Sequence, residues 1–271
     1  MRFGNPVLVA AGCGGTGREL APYVDPARLG AFVTRSITIG ARAGNPAPRV
    51  VETPSGLVNA VGLPNPGIEA FLVDELPWLV ERGTTVVVSI AGRSLGEYAE
   101  LARRLGRASG VAAVEVNVSA PAADGSAVFD VREPFHAGGA VAAVRRELPR
   151  DVSVLAKLRS DLVRVVEAAR TVLDAGAAAV VVGNALPAGM PDGRPGGLSG
   201  PAIRPLALRC VAEVRAELPD AEIIGGGGIA SAADAREFLA AGAIAVQVGT
   251  ALLHDPTTVA RMIDDLSGDH G

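Results

Sequence analysis

At 271 residues, 49% hydrophobic and 20% charged with a formal net charge of -4, the chain has room for one large α/β barrel or two ordinary domains, and its apolar content argues against disorder. It carries no cluster of Lys and Arg of the kind that neutralises phosphates, so no nucleic-acid partner is expected. Its longest apolar runs, such as Ala177 to Val182, fall far short of the about 20 residues that span a bilayer, so no membrane partner is expected either.

The first six residues lack the layout of a signal peptide, and the expectation is a cytoplasmic protein. Cys13 and Cys210 stand far apart and match no metal spacing, so both are read as free thiols and no metal site is expected.

From the N-terminus, β-rich runs alternate with helical ones. Strands are predicted at Pro6 to Ala11, Ala31 to Ser36, Thr85 to Ala91, Ala113 to Ser119, Ser153 to Leu158, Ala178 to Asn184, Glu222 to Gly226 and Ala245 to Gly249. Helices are predicted at Ser94 to Leu105, where Leu95, Tyr98, Leu101, Ala102 and Leu105 fall at helical spacing, and at Asp161 to Ala175, which Gly176 stops. A third runs from Ser231, a fitting cap, to Ala241, with Gly242 beyond it. Eight strands, interleaved helices and no polar linker predict a single (β/α)8 barrel domain over residues 1–271. The stretch from Ile37 to Pro66, rich in proline and glycine, departs from this repeat. It leaves the C-terminal end of the second strand and is predicted to lie over that face of the barrel, where barrels keep their active sites.

Polar residues collect at the C-terminal strand ends. Arg35 ends the second strand, Asn117 the fourth, Lys157 the fifth and Asn184 the sixth, with Asn59 in the excursion. Burying one such group without a partner costs on the order of 1 to 3 kcal/mol, so five on one face point to a site. The last two strands end instead in glycine loops that enter helices: 223–231 reads IIGGGGIAS and 246–251 reads VQVGTA. Glycines at a helix start let main-chain N–H groups approach an anion, and this pair of loops is where barrels grip phosphate. A third glycine-rich segment, 193–200, reads GRPGGLSG. Together with Lys157 these loops suit flavin mononucleotide (FMN), which has one terminal phosphate and a ring edge that becomes negative on reduction.

The segments NPAPRVVETP (45–54), LVNAVGLPNPG (57–67), EVNVS (115–119), GGLSGPAI (196–203) and VQVGTA (246–251) resemble class 1 dihydroorotate dehydrogenases, in order and across nearly the whole chain. That resemblance implies an FMN-binding barrel that oxidises the C5–C6 bond of dihydroorotate, with hydride passing to the flavin and a side-chain base taking the C5 proton. By motif, Ala11, Lys157, Gly197, Gly200, Gly227, Gly228, Gly249 and Thr250 would hold the flavin. Arg35, Asn59, Asn117 and Asn184 would bind a small pyrimidine-like substrate. Class 1 relatives imply a homodimer, and some imply an electron-transfer partner subunit.

The sequence also departs from the family pattern. Where the family reads Asn-x-Ser-Cys-Pro-Asn, with Cys or Ser as base, this chain reads NVSAPA over 117–122. Ala120 takes the place of the base and Ala122 that of a substrate-binding Asn. Arg35 stands where a Lys is expected, and Ala11, Ala60 and Ala185 replace polar residues. These departures predict an oxidoreductase whose ring substrate has changed, with Cys13 as a candidate substitute base. Three alternatives stand beside it: a true dihydroorotate dehydrogenase with another base, a flavin-free isomerase or aldolase on a phosphorylated sugar, and a non-catalytic flavin-binding subunit.

Overall fold

The structure is a computed structural model that describes residues 3–118 and 133–268. Twelve strands are found among the described residues: β1 Val7–Val9, β2 Ala31–Val33, β3 Val50–Thr53, β4 Gly56–Asn59, β5 Val86–Ile90, β6 Val111–Asn117, β7 Ser153–Leu158, β8 Ala179–Val182, β9 Leu186–Gly189, β10 Pro195–Ser199, β11 Ile223–Gly226 and β12 Ala245–Val248. Eight of them close a parallel barrel in the order β1-β2-β5-β6-β7-β8-β11-β12. All eight predicted strands are present, each beginning within two residues of the sequence reading.

The barrel follows from alternation along the strands. Val114, Val116, Val154, Val180, Val182, Val246 and Val248 face outward into one continuous core beneath the helices. Residues of the opposite parity, among them Leu8, Val33, Val87, Ala113, Leu155, Val181 and Ile224, form a separate cluster inside the barrel. Because both faces are buried, the strands read as near-continuous apolar runs, as parallel sheets require.

The helices cover the outside. Ser94 caps Leu95–Leu105, its hydroxyl accepting from the Glu97 N–H, and Tyr98, Leu101, Ala102 and Leu105 face the core. The second predicted helix begins at Val165 and ends at Asp174, four residues later than read at its start, because 161–164 form a turn. Ser231 caps Ala232–Ala240 by accepting from the Asp234 N–H. Among the described residues, no helix is long and apolar enough to cross a membrane.

The excursion folds as a hairpin of β3 and β4, and it does not stand alone. β4 pairs antiparallel with β10, which pairs with β9, giving a second sheet in the order β3-β4-β10-β9. Val58, Ala60 and Met190 form a small core of its own. Within 193–200, read from the sequence as lying along an extended phosphorylated ligand, Pro195–Ser199 is a strand, with Gly197 opposite Asn59 and Gly196 opposite Ala188. The cause is packing. Glycines at 196 and 197 let β10 lie close, since an added Cβ at Gly197 would fall 2.7 Å from Ala185 Cβ and one at Gly196 would fall 2.9 Å from the Asn59 carbonyl oxygen.

Candidate active site

The lumen turns polar toward the C-terminal ends of the strands. Along β6, Ala113 gives way to Glu115 and then Asn117; along β7, Leu155 gives way to Lys157; along β12, Ala245 gives way to Gln247. Each pair is two residues apart and faces the same way. At this level Lys157 Nζ donates to Gln247 Oε1 at 2.7 Å, and Gln247 Nε2 donates to Glu115 Oε2 at 2.6 Å. Lys157 Nζ also lies 3.7 Å from Glu115 Oε1. The three side chains are buried, with Glu115 fully enclosed.

Above this floor opens a cleft of about 950 Å³. Lys157, Gln247 and Asn117 form its base, and Arg35, Asn59 and Asn184 line its sides, as do Ala11, Cys13, Gly200, Gly227, Gly228, Gly249 and Thr250. Thus twelve of the thirteen residues singled out from the sequence, within the described stretches, meet at one cleft; Gly197 lies in the β10 ladder instead. The hairpin supplies one wall through Glu52, Thr53 and Asn59.

Several side chains here are held by polar partners. Asn117 Nδ2 donates to Ser36 Oγ at 3.1 Å, and Ser36 Oγ lies 3.0 Å from Ser89 Oγ. Tyr98 donates to the Asn117 carbonyl at 3.1 Å, and burial pushes its phenol up to about 12. Asn59 Nδ2 donates to the Gly197 carbonyl at 3.2 Å, tying β4 to β10. Arg35 sits 3.9 Å from Glu75 Oε2, and its Nε is buried without a hydrogen-bond partner. Burial raises the Glu75 carboxyl, an effect that Arg35 opposes.

Two turns make the other side of the cleft. Gly227 and Gly228 have φ of 110° and 75°, so the chain here uses the left-handed region that favours glycine. A Cβ on Gly228 would lie 2.6 Å from Arg204 Cβ and 2.8 Å from the Gly200 carbonyl oxygen. Next to them Gly249 leads into the short helix Thr250–His254. Among the described residues, the N–H groups of Gly227, Gly228 and Gly249 bond to no turn or loop carbonyl. Main-chain donors gathered at the mouth of a barrel fit an anion.

Cys13 packs close to Gly249, its Sγ 3.2 Å from where a Cβ there would sit. Burial pushes its thiol up, and the Lys157 ammonium opposes that. Ala120 and Ala122 lie outside the described residues.

A model of the dihydroorotate dehydrogenase family matches residues 1–268. The chain belongs to this family. The catalytic subunit of dihydroorotate dehydrogenase B (NAD(+)) from Desulforudis audaxviator (strain MP104C) is 46% identical over 273 residues, covering 97% of this chain and 87% of that protein. The protein of the same description from Anoxybacillus flavithermus (strain DSM 21510 / WK1) is 40% identical over 288 residues, covering 98% and 89%. The crystal structure of DHODH in complex with ferulenol from Eimeria tenella superposes with a TM-score of 0.82 at 21% identity, covering 98% of this chain and 81% of that one, and so shares the fold.

Dihydroorotate dehydrogenases are FMN-dependent oxidoreductases, and membership gives this chain that chemistry and that cofactor. The cleft fits the group. It offers main-chain N–H groups at two glycine turns, a cradle that a Cβ at Gly228 would fill, and a buried ammonium at its base.

Sequence reasoning found the rim of the site but not its foundations. Glu115 and Gln247 read as ordinary alternation within strands, and Ser36 and Ser89 as polar strand residues. One signal was available: Lys157 is the only lysine among 25 Lys and Arg residues. In a chain whose other Lys and Arg positions are all arginine, the one lysine puts a compact ammonium at the buried base of the cleft.

Proposed function

We propose that this chain oxidises dihydroorotate as the FMN-bearing catalytic subunit of a two-component enzyme, passing electrons through a partner subunit to NAD(+). Relatives 40–46% identical over nearly its whole length, each a dihydroorotate dehydrogenase B (NAD(+)) catalytic subunit, support that reading. The observation that carries it is the meeting of Arg35, Asn59, Asn117 and Asn184 with the two glycine turns at a single cleft. A homodimer and a cytoplasmic location accompany the proposal.

Bound FMN supplies a hydride acceptor. The chain's own residues bind and orient. Gly227, Gly228, Gly249, Thr250 and Gly200 would hold the FMN phosphate through main-chain N–H groups, and Ala11 would be one of the residues that hold the flavin. Lys157 places positive charge where the reduced ring gathers negative charge. Asn117, fixed by Ser36, joins Asn59 and Asn184 in hydrogen bonds to the amide edges of the pyrimidine. Arg35, whose Nε has no hydrogen-bond partner although Glu75 lies 3.9 Å away, meets the substrate carboxylate.

The C5 proton must leave by a route that does not use Ala120. Cys13 is a poor acceptor, because burial keeps its thiol protonated. Loss of a positioned base costs roughly 10²- to 10⁴-fold, so dihydroorotate oxidation is slow in the natural chain and rises by about that factor in Ala120→Cys. A second reading, a changed ring substrate, is favoured by the alanines at 120 and 122. Anaerobic reduction of the FMN-loaded protein by dihydroorotate decides between them. Bleaching in the natural chain, faster in Ala120→Cys, supports the proposal. Failure of both proteins to bleach overturns it in favour of the changed substrate.

A further inference from the structure

Beneath the cleft, the hydrogen bonds around Lys157 have a direction. An ammonium can only donate, so it requires the carbonyl oxygen of Gln247. A carboxylate can only accept, so Glu115 requires the amide nitrogen of Gln247. The observed contacts obey both demands, with Lys157 Nζ to Gln247 Oε1 at 2.7 Å and Gln247 Nε2 to Glu115 Oε2 at 2.6 Å. Only one of the two amide orientations of Gln247 satisfies both neighbours.

The three residues come from strands far apart in sequence, β6, β7 and β12, and all lie in the lumen. Lys157 and Gln247 line the cleft, while Glu115 does not and is 0% exposed. Its second oxygen, Oε1, is buried without a hydrogen-bond partner and lies 3.7 Å from Lys157 Nζ. A carboxylate placed this deep is costly, and the ammonium is its only counter-charge within ion-pair distance among the described residues. The same carboxylate that orients the amide also balances the charge of the cation above it.

We propose that Glu115 is a positioning residue for the oxidoreductase reaction: through Gln247 it fixes Lys157 at the floor of the cleft and sets the net charge felt there. Glu115 touches neither substrate nor flavin. Its effect on the flavin rests on the FMN reading of the cleft, whereas its hold on Lys157 does not.

Because Lys157 is the sole lysine, protein labelled with ¹⁵N-lysine has a single side-chain nitrogen signal, readable without flavin. In the flavin-free natural protein the proposal expects one ammonium signal protected from exchange with water. In Glu115→Gln, nearly the same shape without the charge, the amide of Gln247 can flip, since its new neighbour both donates and accepts; the ammonium signal shifts and exchanges faster. Gln247→Leu removes the acceptor and produces the same direction of change, which keeps the test open if one variant folds poorly. In the FMN-loaded Glu115→Gln protein the midpoint potential moves positive, because one negative charge near the ring is gone, and a merely structural role would leave it in place. An ammonium signal unchanged in both variants overturns the proposal. A changed ammonium signal with an unmoved potential keeps the hold on Lys157 and overturns the claim about the flavin. A protein that binds no FMN fails the functional reading, and the ammonium signal still decides the relay.

Discussion

Ser36 and Asn117, 81 positions apart in sequence, meet across the barrel mouth, Asn117 Nδ2 donating to Ser36 Oγ at 3.1 Å. Asn117 ends β6 and Ser36 follows β2, so this bond ties together the two strand ends that flank β5. Ser36→Ala removes the acceptor of this bond, at a cost of about 1 kcal/mol in stability. With this hold on the Asn117 amide gone, KM for the ring substrate rises several-fold while kcat changes less. Steady-state kinetics and thermal unfolding of the variant check both.

Gly228 has room for a hydrogen and nothing more. In Gly228→Ala the new Cβ meets the Gly200 carbonyl oxygen at 2.8 Å and Arg204 Cβ at 2.6 Å, on backbone with φ of 75°. Left-handed backbone alone costs a residue with a Cβ about 1–2 kcal/mol. The collision pushes the turns apart, so the purified variant carries less FMN than the natural protein, read from its visible absorbance. It also loses stability in the flavin-free state, which separates strain in the chain from loss of the ligand.

The barrel was legible in the sequence because both faces of each strand are buried, which made eight apolar runs stand out between amphipathic helices. Asn117, Lys157 and Asn184 were legible because each interrupts such a run near its end. The second sheet was not, since β9 and β10 are four and five residues long and rich in glycine and proline, so nothing in their composition marks them as strands. Only the pairing of β10 with a hairpin some 140 positions earlier makes them so, and no local pattern records that. Glu115 was hidden for a related reason: a carboxylate at an alternating position reads as solvent-facing until the barrel closes around it.

Cys13 tests how the C5 proton leaves. Its raised thiol and its packing against Gly249 make it a wall of the cleft rather than a base. Cys13→Ala therefore keeps kcat within a few-fold of the natural value. A fall of about 10²-fold or more, the range lost with a general base, would mark Cys13 as the proton acceptor.

The other cysteine is expected to make stability fall at alkaline pH. Cys210 is fully buried in the helix Arg204–Glu217, and burial, with Asp161 and Glu213 nearby, raises its thiol from 9.0 to about 11. The folded state then binds its proton more tightly than the unfolded state. The stability this contributes is complete below pH 9 and is lost as pH rises from 9 through about 11, an effect of order 3 kcal/mol. Chemical denaturation at pH 8 and pH 10.5 should show a smaller decline for Cys210→Ala than for the natural protein.

FMN lying over Lys157, with its phosphate in the two glycine turns, can be seen or refuted in a crystal structure of the protein grown with FMN. Phosphate oxygens are expected within hydrogen-bond distance of the N–H groups of Gly228, Gly249 and Thr250, and the ring edge beside Lys157 Nζ. A phosphate bound away from these turns, or a ring that leaves Lys157 without contact, would contradict it.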